Sequence, residues 1–186
     1  ALALVKKEGF KEERENNQSI YVTEIIFHKD RADKLLLSYE QVLQRLKQKE
    51  LPFGFHYSPY NFDSGPEKEF FENILRELMI DKDDVEDIYF TGAINDPNKT
   101  DFFFEYKDAD GKWHNYTPDF LIRKKNGKML IVEIKGKPFR DKQKEKEMHQ
   151  IENLNPDRLK YEILETTREE LAFNEVDKVK KWIYNK

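Results

Sequence analysis

Three side chains have the types and spacing to do chemistry. They are Asp119, in Tyr116-Thr117-Pro118-Asp119-Phe120, and Glu133 and Lys135, in Ile131-Val132-Glu133-Ile134-Lys135-Gly136. Side chains alternate along a strand, so Glu133 and Lys135 project from one face while Val132 and Ile134 enter the other. A carboxylate and a lysine are costly in such an apolar strand unless they have partners. A plain core strand would carry Val or Ile there. Whether Asp119 joins them turns on the connection between two strands. A two-residue Asn126-Gly127 loop sets Asp119 opposite Ile134, on the wrong face. A three-residue loop, Lys125-Asn126-Gly127 with a left-handed Gly127, sets it opposite Glu133. A bulge at Pro118 could also re-aim it. The expectation is that, by loop or bulge, all three side chains converge.

Two carboxylates held together by a hairpin repel each other and invite a hard divalent cation. Oxygen ligation without cysteine points to Mg²⁺ or Mn²⁺. A lysine beside that ion could orient and help deprotonate a water, or stabilise charge developing on a phosphate, while the metal supplies Lewis acidity. Such a set is suited to hydrolysing a phosphodiester. The plainer reading of the same residues is a structural ion pair beside a hairpin.

The elements that would position them can be read on either side. Ser64-Gly65-Pro66-Glu67 reads as a capping box with proline in the first turn. The helix it opens carries Phe70, Phe71, Ile74, Leu75 and Leu78 on one face, and Asp81 to Asp84 stops it. Val85 to Phe90 and Asp101 to Tyr106 read as strands around a polar loop with Asn95, Pro97 and Asn98. Asn115 to Lys124 and Lys128 to Lys135 read as two strands joined by a tight turn. A charged helix from Asp141 to Asn153, a strand from Leu159 to Leu164 and a helix from Asn174 to Tyr184 complete the series. From residue 64 onward the order is α-β-β-β-β-α-β-α, an α/β sandwich around a mixed sheet. Earlier, Ser19 to His28 reads as a strand and Arg31 to Lys49 as an amphipathic helix. Leu51 to Phe62 reads as an aromatic connector packed onto the body. The first 19 residues lack clear periodicity. The division expected is an N-terminal extension over 1–62, with strand, helix and connector, and a catalytic core over 63–186.

Composition bounds these readings. The chain has 186 residues, enough for one domain with an appended segment. The 14 Phe, 9 Tyr and 2 Trp argue for a packed core despite 38% charged residues. With no cysteine, disulfide scaffolds, thiolate zinc sites and cysteine nucleophiles are excluded. No apolar run approaches the ~20 residues of a membrane span, and no signal peptide opens the chain, so a cytoplasmic protein is expected. The opening Ala, in place of Met, suggests a fragment or a trimmed form. The net charge of −4 argues mildly against a pure nucleic-acid-binding module. Yet Pro118 to Lys146 holds ten Lys or Arg against four Asp or Glu, a local excess of six, and the remainder carries −10. A basic stripe on an acidic body is compatible with a polyanion meeting one face.

Pro118-Asp119 followed by Glu133-Ile134-Lys135 resembles the PD-(D/E)XK nuclease superfamily. The wider string is Ser64-x-x-Glu67, Val85 to Phe90, Phe102 to Tyr106, Tyr116-x-Pro118-Asp119-Phe120 and Val132-Glu133-Ile134-Lys135-Gly136. It resembles the endonuclease domain at the C-terminal end of type III restriction subunits, over about residues 64 to 165. The resemblance implies a restriction-endonuclease-like αβββαβ core with a mixed central sheet flanked by helices. It implies Mg²⁺-dependent DNA cleavage, Mn²⁺ substituting, with Asp119 and Glu133 as metal ligands, the Ile134 carbonyl assisting and Lys135 as the catalytic lysine. It also implies an ATP-dependent motor in the parent protein. No Gly-x-x-x-x-Gly-Lys loop is present, so any motor lies outside this chain. The rivals are a transposon-end, repair or junction-resolving nuclease of the same superfamily, and a non-catalytic module that keeps the fold to bind DNA or a protein.

Other residues carry two readings. Glu67 is either the capping partner of Ser64 or, by the resemblance, a third acid near the metal. Lys137 and Arg140, nearest Lys135, are read as DNA contacts, whereas Lys144 and Lys146 are read as the solvated face of a charged helix. His28, His56, His114 and His149 are scattered without ligand spacing. Phe53, Phe55, Tyr57, Tyr60 and Phe62 are read as packing in preference to base stacking. Double-strand cleavage would need two sites, as in a homodimer, or two successive nicks.

Overall fold

The computed structural model describes residues 10–15, 18–23, 32–51, 53–56, 58–91, 103–167, 170–172 and 174–184. The fold is mixed α/β. Strand β1 (Phe10–Glu15) pairs antiparallel with β2 (Gln18–Thr23), placing a strand in the stretch without clear periodicity. Residues 24–28 of the strand expected over Ser19 to His28 lie outside the described residues.

The helix expected over Arg31 to Lys49 is interrupted. It divides into α1 (Ala32–Leu35), β3 (Leu36–Leu37) and α2 (Tyr39–Leu46). Ser38 explains the break. Its hydroxyl accepts the Gln41 N–H at 3.2 Å, and the Gln41 side chain accepts the Ser38 N–H at 2.9 Å. This reciprocal cap starts a new helix, while Leu36 and Leu37 pair with β4 (Tyr60–Asn61). The connector is interior: Phe53, Phe55, Tyr60 and Phe62 are buried, and Phe55 stacks on Tyr60 with ring centroids 4.3 Å apart. Tyr57 lies outside the described residues.

Helix α3 (Gly65–Ile80) begins at Ser64 and buries Phe70, Phe71, Ile74, Leu75 and Leu78. Then follow β5 (Val85–Phe90), β6 (Phe104–Lys107), β7 (Trp113–Tyr116), β8 (Phe120–Lys124) and β9 (Met129–Gly136). A 3₁₀ turn over Lys137–Phe139 leads to α4 (Lys142–Leu154), which Asp141 caps. The chain closes with β10 (Leu159–Thr167), β11 (Glu170–Leu171) and α5 (Glu175–Tyr184).

A five-stranded mixed sheet in the order β11-β10-β9-β8-β5 is the frame of the molecule. Strands β9 and β10 run parallel, with α4 on the crossover between them, and the other neighbours are antiparallel. The single strand expected over Asn115 to Lys124 is two strands in two sheets. Strand β7 pairs with β6 in a separate ribbon, and β8 joins the main sheet. Pro118, which has no N–H for a ladder, sits at the break. The strand expected over Asp101 to Tyr106 is therefore outside the main sheet, and β8 pairs with β5 in its place. The loop with Asn95, Pro97 and Asn98 lies outside the described residues.

The sheet is buried on both faces. Phe120, Ile122, Leu130, Val132 and Ile134 join the α3, α5 and connector side chains in the larger core. Leu121, Ile131 and Tyr161 pack with Met148 of α4 on the other face. Both faces being covered explains the nearly continuous apolar run in β9. Among the described residues no helix is long and apolar enough to cross a membrane.

Candidate active site

The β8–β9 hairpin sets the geometry. Phe120 pairs with Val132, Leu121 with Ile131, Ile122 with Leu130 and Arg123 with Met129. The Lys124 N–H donates to the Lys128 carbonyl at 2.8 Å and closes the three-residue loop Lys125-Asn126-Gly127. Gly127 has φ of 86°, the left-handed conformation that glycine adopts without a Cβ penalty. One step beyond Phe120 in the same register, Asp119 faces Glu133. The loop alone achieves this, without a bulge between β8 and β9.

Asp119 is anchored twice. The Ile134 N–H donates to its Oδ2 at 2.7 Å. On the β5 side, the Thr91 N–H donates to the Asp119 carbonyl at 2.9 Å, and the Thr91 hydroxyl donates to the Pro118 carbonyl at 2.6 Å. Burial pushes the Asp119 carboxyl well above its ordinary range, and the nearby Glu133 and Glu67 push it further, against the Ile134 N–H and Lys135. The site thus concentrates more negative charge than its surroundings stabilise.

Glu133 is 3% exposed, on the α4 face of the sheet. Both of its oxygens have partners. The Tyr116 hydroxyl donates to Oε2. The Lys144 ammonium donates to Oε1 at 2.8 Å, and Lys135 Nζ stands 3.7 Å from the same oxygen. Lys135 is half exposed and shares the face of Glu133, as strand alternation requires, while the Ile134 side chain enters the opposite core.

Glu67 serves the cap and also neighbours the acids. The Ser64 hydroxyl donates to its Oε1 at 2.6 Å, and the Glu67 N–H donates back to Ser64 at 3.4 Å. Its Oε2 accepts the Asp63 N–H at 3.1 Å, one residue earlier than a reciprocal box would use. Burial raises the Glu67 carboxyl, and Lys135 works in the opposite sense. Capping and proximity to Asp119 thus coexist in one side chain.

The two basic residues after the strand differ. Lys137 is 75% exposed, 3.4 Å from Glu165. The Arg140 guanidinium is committed internally: its Nε donates to Glu145 at 2.7 Å, and another nitrogen donates to Glu165 at 3.0 Å. Lys146 is exposed, in keeping with a solvated face. Lys144 departs from that reading, with a side chain only 13% exposed and its Nζ 4.2 Å from the Tyr116 ring centroid. A signal for it existed, since Lys144 shares helical spacing with Met148 and Ile151, the apolar side of α4. Tyr116 and Thr91 are the other site residues not singled out from sequence. Tyr161 lies in the same cluster as Tyr116. Of the four histidines, His56 stands 3.0 Å from Asp87, His114 2.6 Å from Asp108 and His149 3.0 Å from Glu152, all away from Asp119. His28 lies outside the described residues.

Among the described residues no group of three or more His, Asp or Glu is arranged to hold a metal ion. What the site offers a cation is a pair, Asp119 and Glu133, joined through the Ile134 peptide. The excess negative charge at Asp119 suits a hard divalent ion, and hard oxygen donors match it. No protein family, curated protein or solved structure matches this chain.

Proposed function

We propose that the chain is a metal-dependent DNA endonuclease domain on a restriction-endonuclease-like αβββαβ core. The observation that carries the reading is the β8–β9 register. It brings Asp119 against Glu133 at the end of a buried hairpin, with Lys135 on the same face. Asp119, Glu133 and the Ile134 carbonyl would hold Mg²⁺ or Mn²⁺. When bound, that ion would supply Lewis acidity and a more acidic water. Asp119 is held in place by Ile134 and Thr91, and Glu133 by Tyr116. Lys135, half exposed at the edge of the pair, orients the attacking water and faces the charge developing on the phosphate. Glu67 adds negative charge behind Asp119 and steadies the start of α3. Lys137, largely in solvent just beyond β9, would meet a DNA phosphate. An ATP-dependent motor in the parent protein would deliver the DNA, and a homodimer would supply the two sites that a double-strand cut needs. Transposon-end and repair nucleases share this chemistry and differ in the DNA they select.

Plasmid nicking in Mg²⁺, Mn²⁺ or EDTA tests the reading. Cleavage should require the metal and fall by roughly 10²-fold or more in Lys135→Ala, with metal binding kept. Lys135→Ala cleaving at the wild-type rate would show the lysine has no part in the chemistry.

A second reading, a non-catalytic module that binds DNA or a protein, draws on one observation: both Glu133 oxygens already have protein partners. Calorimetric titration with Mg²⁺ separates the two. Heat of binding lost in Asp119→Ala favours the nuclease, and no binding favours the module.

A further inference from the structure

Lys144 stands in an unusual place for a residue on a highly charged helix. It lies in the first turn of α4, which is fixed by the Asp141 side chain accepting the Gln143 and Lys144 N–H groups. From there its side chain runs inward. The ammonium meets Glu133 Oε1 at 2.8 Å and the Tyr116 ring at 4.2 Å, and the Tyr116 hydroxyl holds the other Glu133 oxygen. Aromatic face, carboxylate and lysine form one unit in which the lysine is largely shielded from water. A shielded ammonium with two such partners is far better placed than one on a solvated face.

Its position sets up a conflict. If Glu133 ligates a divalent ion, that ion bears two positive charges against the carboxylate that Lys144 already neutralises. Repulsion between these charges across a few ångströms of shielded space is strong. We propose that Lys144 is a built-in competitor for the metal, its ammonium holding Glu133 Oε1 in the metal-free protein so that metal binding is an exchange against it. The inference rests on the reading of Glu133 as a metal ligand. The arrangement holds the Glu133 side chain in position before the metal arrives, and it weakens the hold on free Mg²⁺.

Lys144→Met removes the charge and keeps the length and the apolar stem. Lys144→Gln removes the charge and keeps a hydrogen-bond donor, and Lys144→Arg keeps the charge. Titration calorimetry with Mg²⁺, and with Ca²⁺ as a second ion, should give affinities about tenfold or more tighter for Met and Gln than for wild type. Arg should stay near wild type. Thermal melts in EDTA and in Mg²⁺ supply a second readout. The Mg²⁺-induced rise in Tm should be larger in Lys144→Met than in wild type, because tighter binding to the folded state stabilises it further. An ion pair that serves only the fold would lower Tm equally in both conditions. Wild-type binding with unchanged or weaker affinity in Met and Gln overturns this inference and leaves the metal site standing. Absence of Mg²⁺ binding in every protein overturns both.

Discussion

At Asp119, burial, two neighbouring carboxyls and one backbone N–H meet on a single side chain. The first two oppose its ionisation and the last favours it, and the outcome is a carboxyl held well above its ordinary value of 3.8. The unfolded chain has no such burial and ionises Asp119 at the ordinary value. Below that value both states hold the proton, and the stabilisation from the raised group is fully present. As pH rises towards the folded value, the unfolded state releases its proton first and that stabilisation is lost. In EDTA, the Asp119 contribution to Tm should therefore fall as the pH is raised above about 4, against the opposite contributions of Asp108 and Glu152, whose carboxyls are held low by their partners. Asp119→Asn should flatten this limb, leaving the smaller slope due to Glu67, which burial shifts in the same direction. Melts across pH check it, and an unchanged slope in Asp119→Asn would show that Asp119 titrates normally.

At the scale of elements, the hairpin and its β5 neighbour do the positioning. Much of this was legible, because a glycine at the third loop position and strict alternation in β9 leave few registers for Asp119. The break at Pro118 was not. Thr117 to Asp119 continues a β-rich string, and only long-range pairing distinguishes one strand from two: β6 captures Trp113–Tyr116, and Thr91 holds the Pro118 and Asp119 carbonyls. Periodicity within a segment carries no information about such partners. The same limit applies at Ser38, where a local cap and the distant Tyr60–Asn61 strand together divide a helical pattern. Lys144 was hidden for another reason: neighbouring Lys142 and Lys146 made it look like part of a solvated run. Two substitutions test the positioning. Gly127→Ala should cost about 1 kcal/mol, since alanine must enter the left-handed region although its Cβ would meet nothing within 4 Å. Thr91→Val removes the hydroxyl donated to Pro118 and should cost about 1 kcal/mol. On the proposed reading of Asp119 as a metal ligand it should also weaken Mg²⁺ binding, whereas Gly127→Ala, at the far end of the hairpin, should leave that affinity nearly unchanged. Denaturant melts paired with calorimetry separate the two effects.

The whole molecule carries −4, and its basic stretch is less available to a polyanion than its composition implies. Four of the ten Lys and Arg between residues 118 and 146 are engaged internally. Arg123 pairs with Glu86, Lys124 donates to the Ile183 carbonyl and pairs with Asp84, Arg140 bridges Glu145 and Glu165, and Lys144 holds Glu133. Lys125 and Lys128 are exposed, but at the β8–β9 turn, the opposite end of the strands from Lys135. This leaves Lys135 and Lys137 at the end of β9, and Lys142 and Lys146 exposed on α4, as the remaining cations of the stretch. Each phosphate neutralised on duplex DNA contributes about −0.9 to the slope of log affinity against log salt. A footprint of three or four such contacts therefore gives a slope of about −3, shallow for a duplex-binding protein. Anisotropy of labelled DNA in Ca²⁺ at several salt concentrations measures this slope. Lys137→Ala should reduce it by about one unit with little loss of fold, since its side chain is largely in solvent. Arg140→Ala should leave the slope nearly unchanged and lower Tm, because it removes two internal ion pairs. A steep wild-type slope would place DNA on a different face, while a shallow one would fit the proposal that other domains bring the DNA.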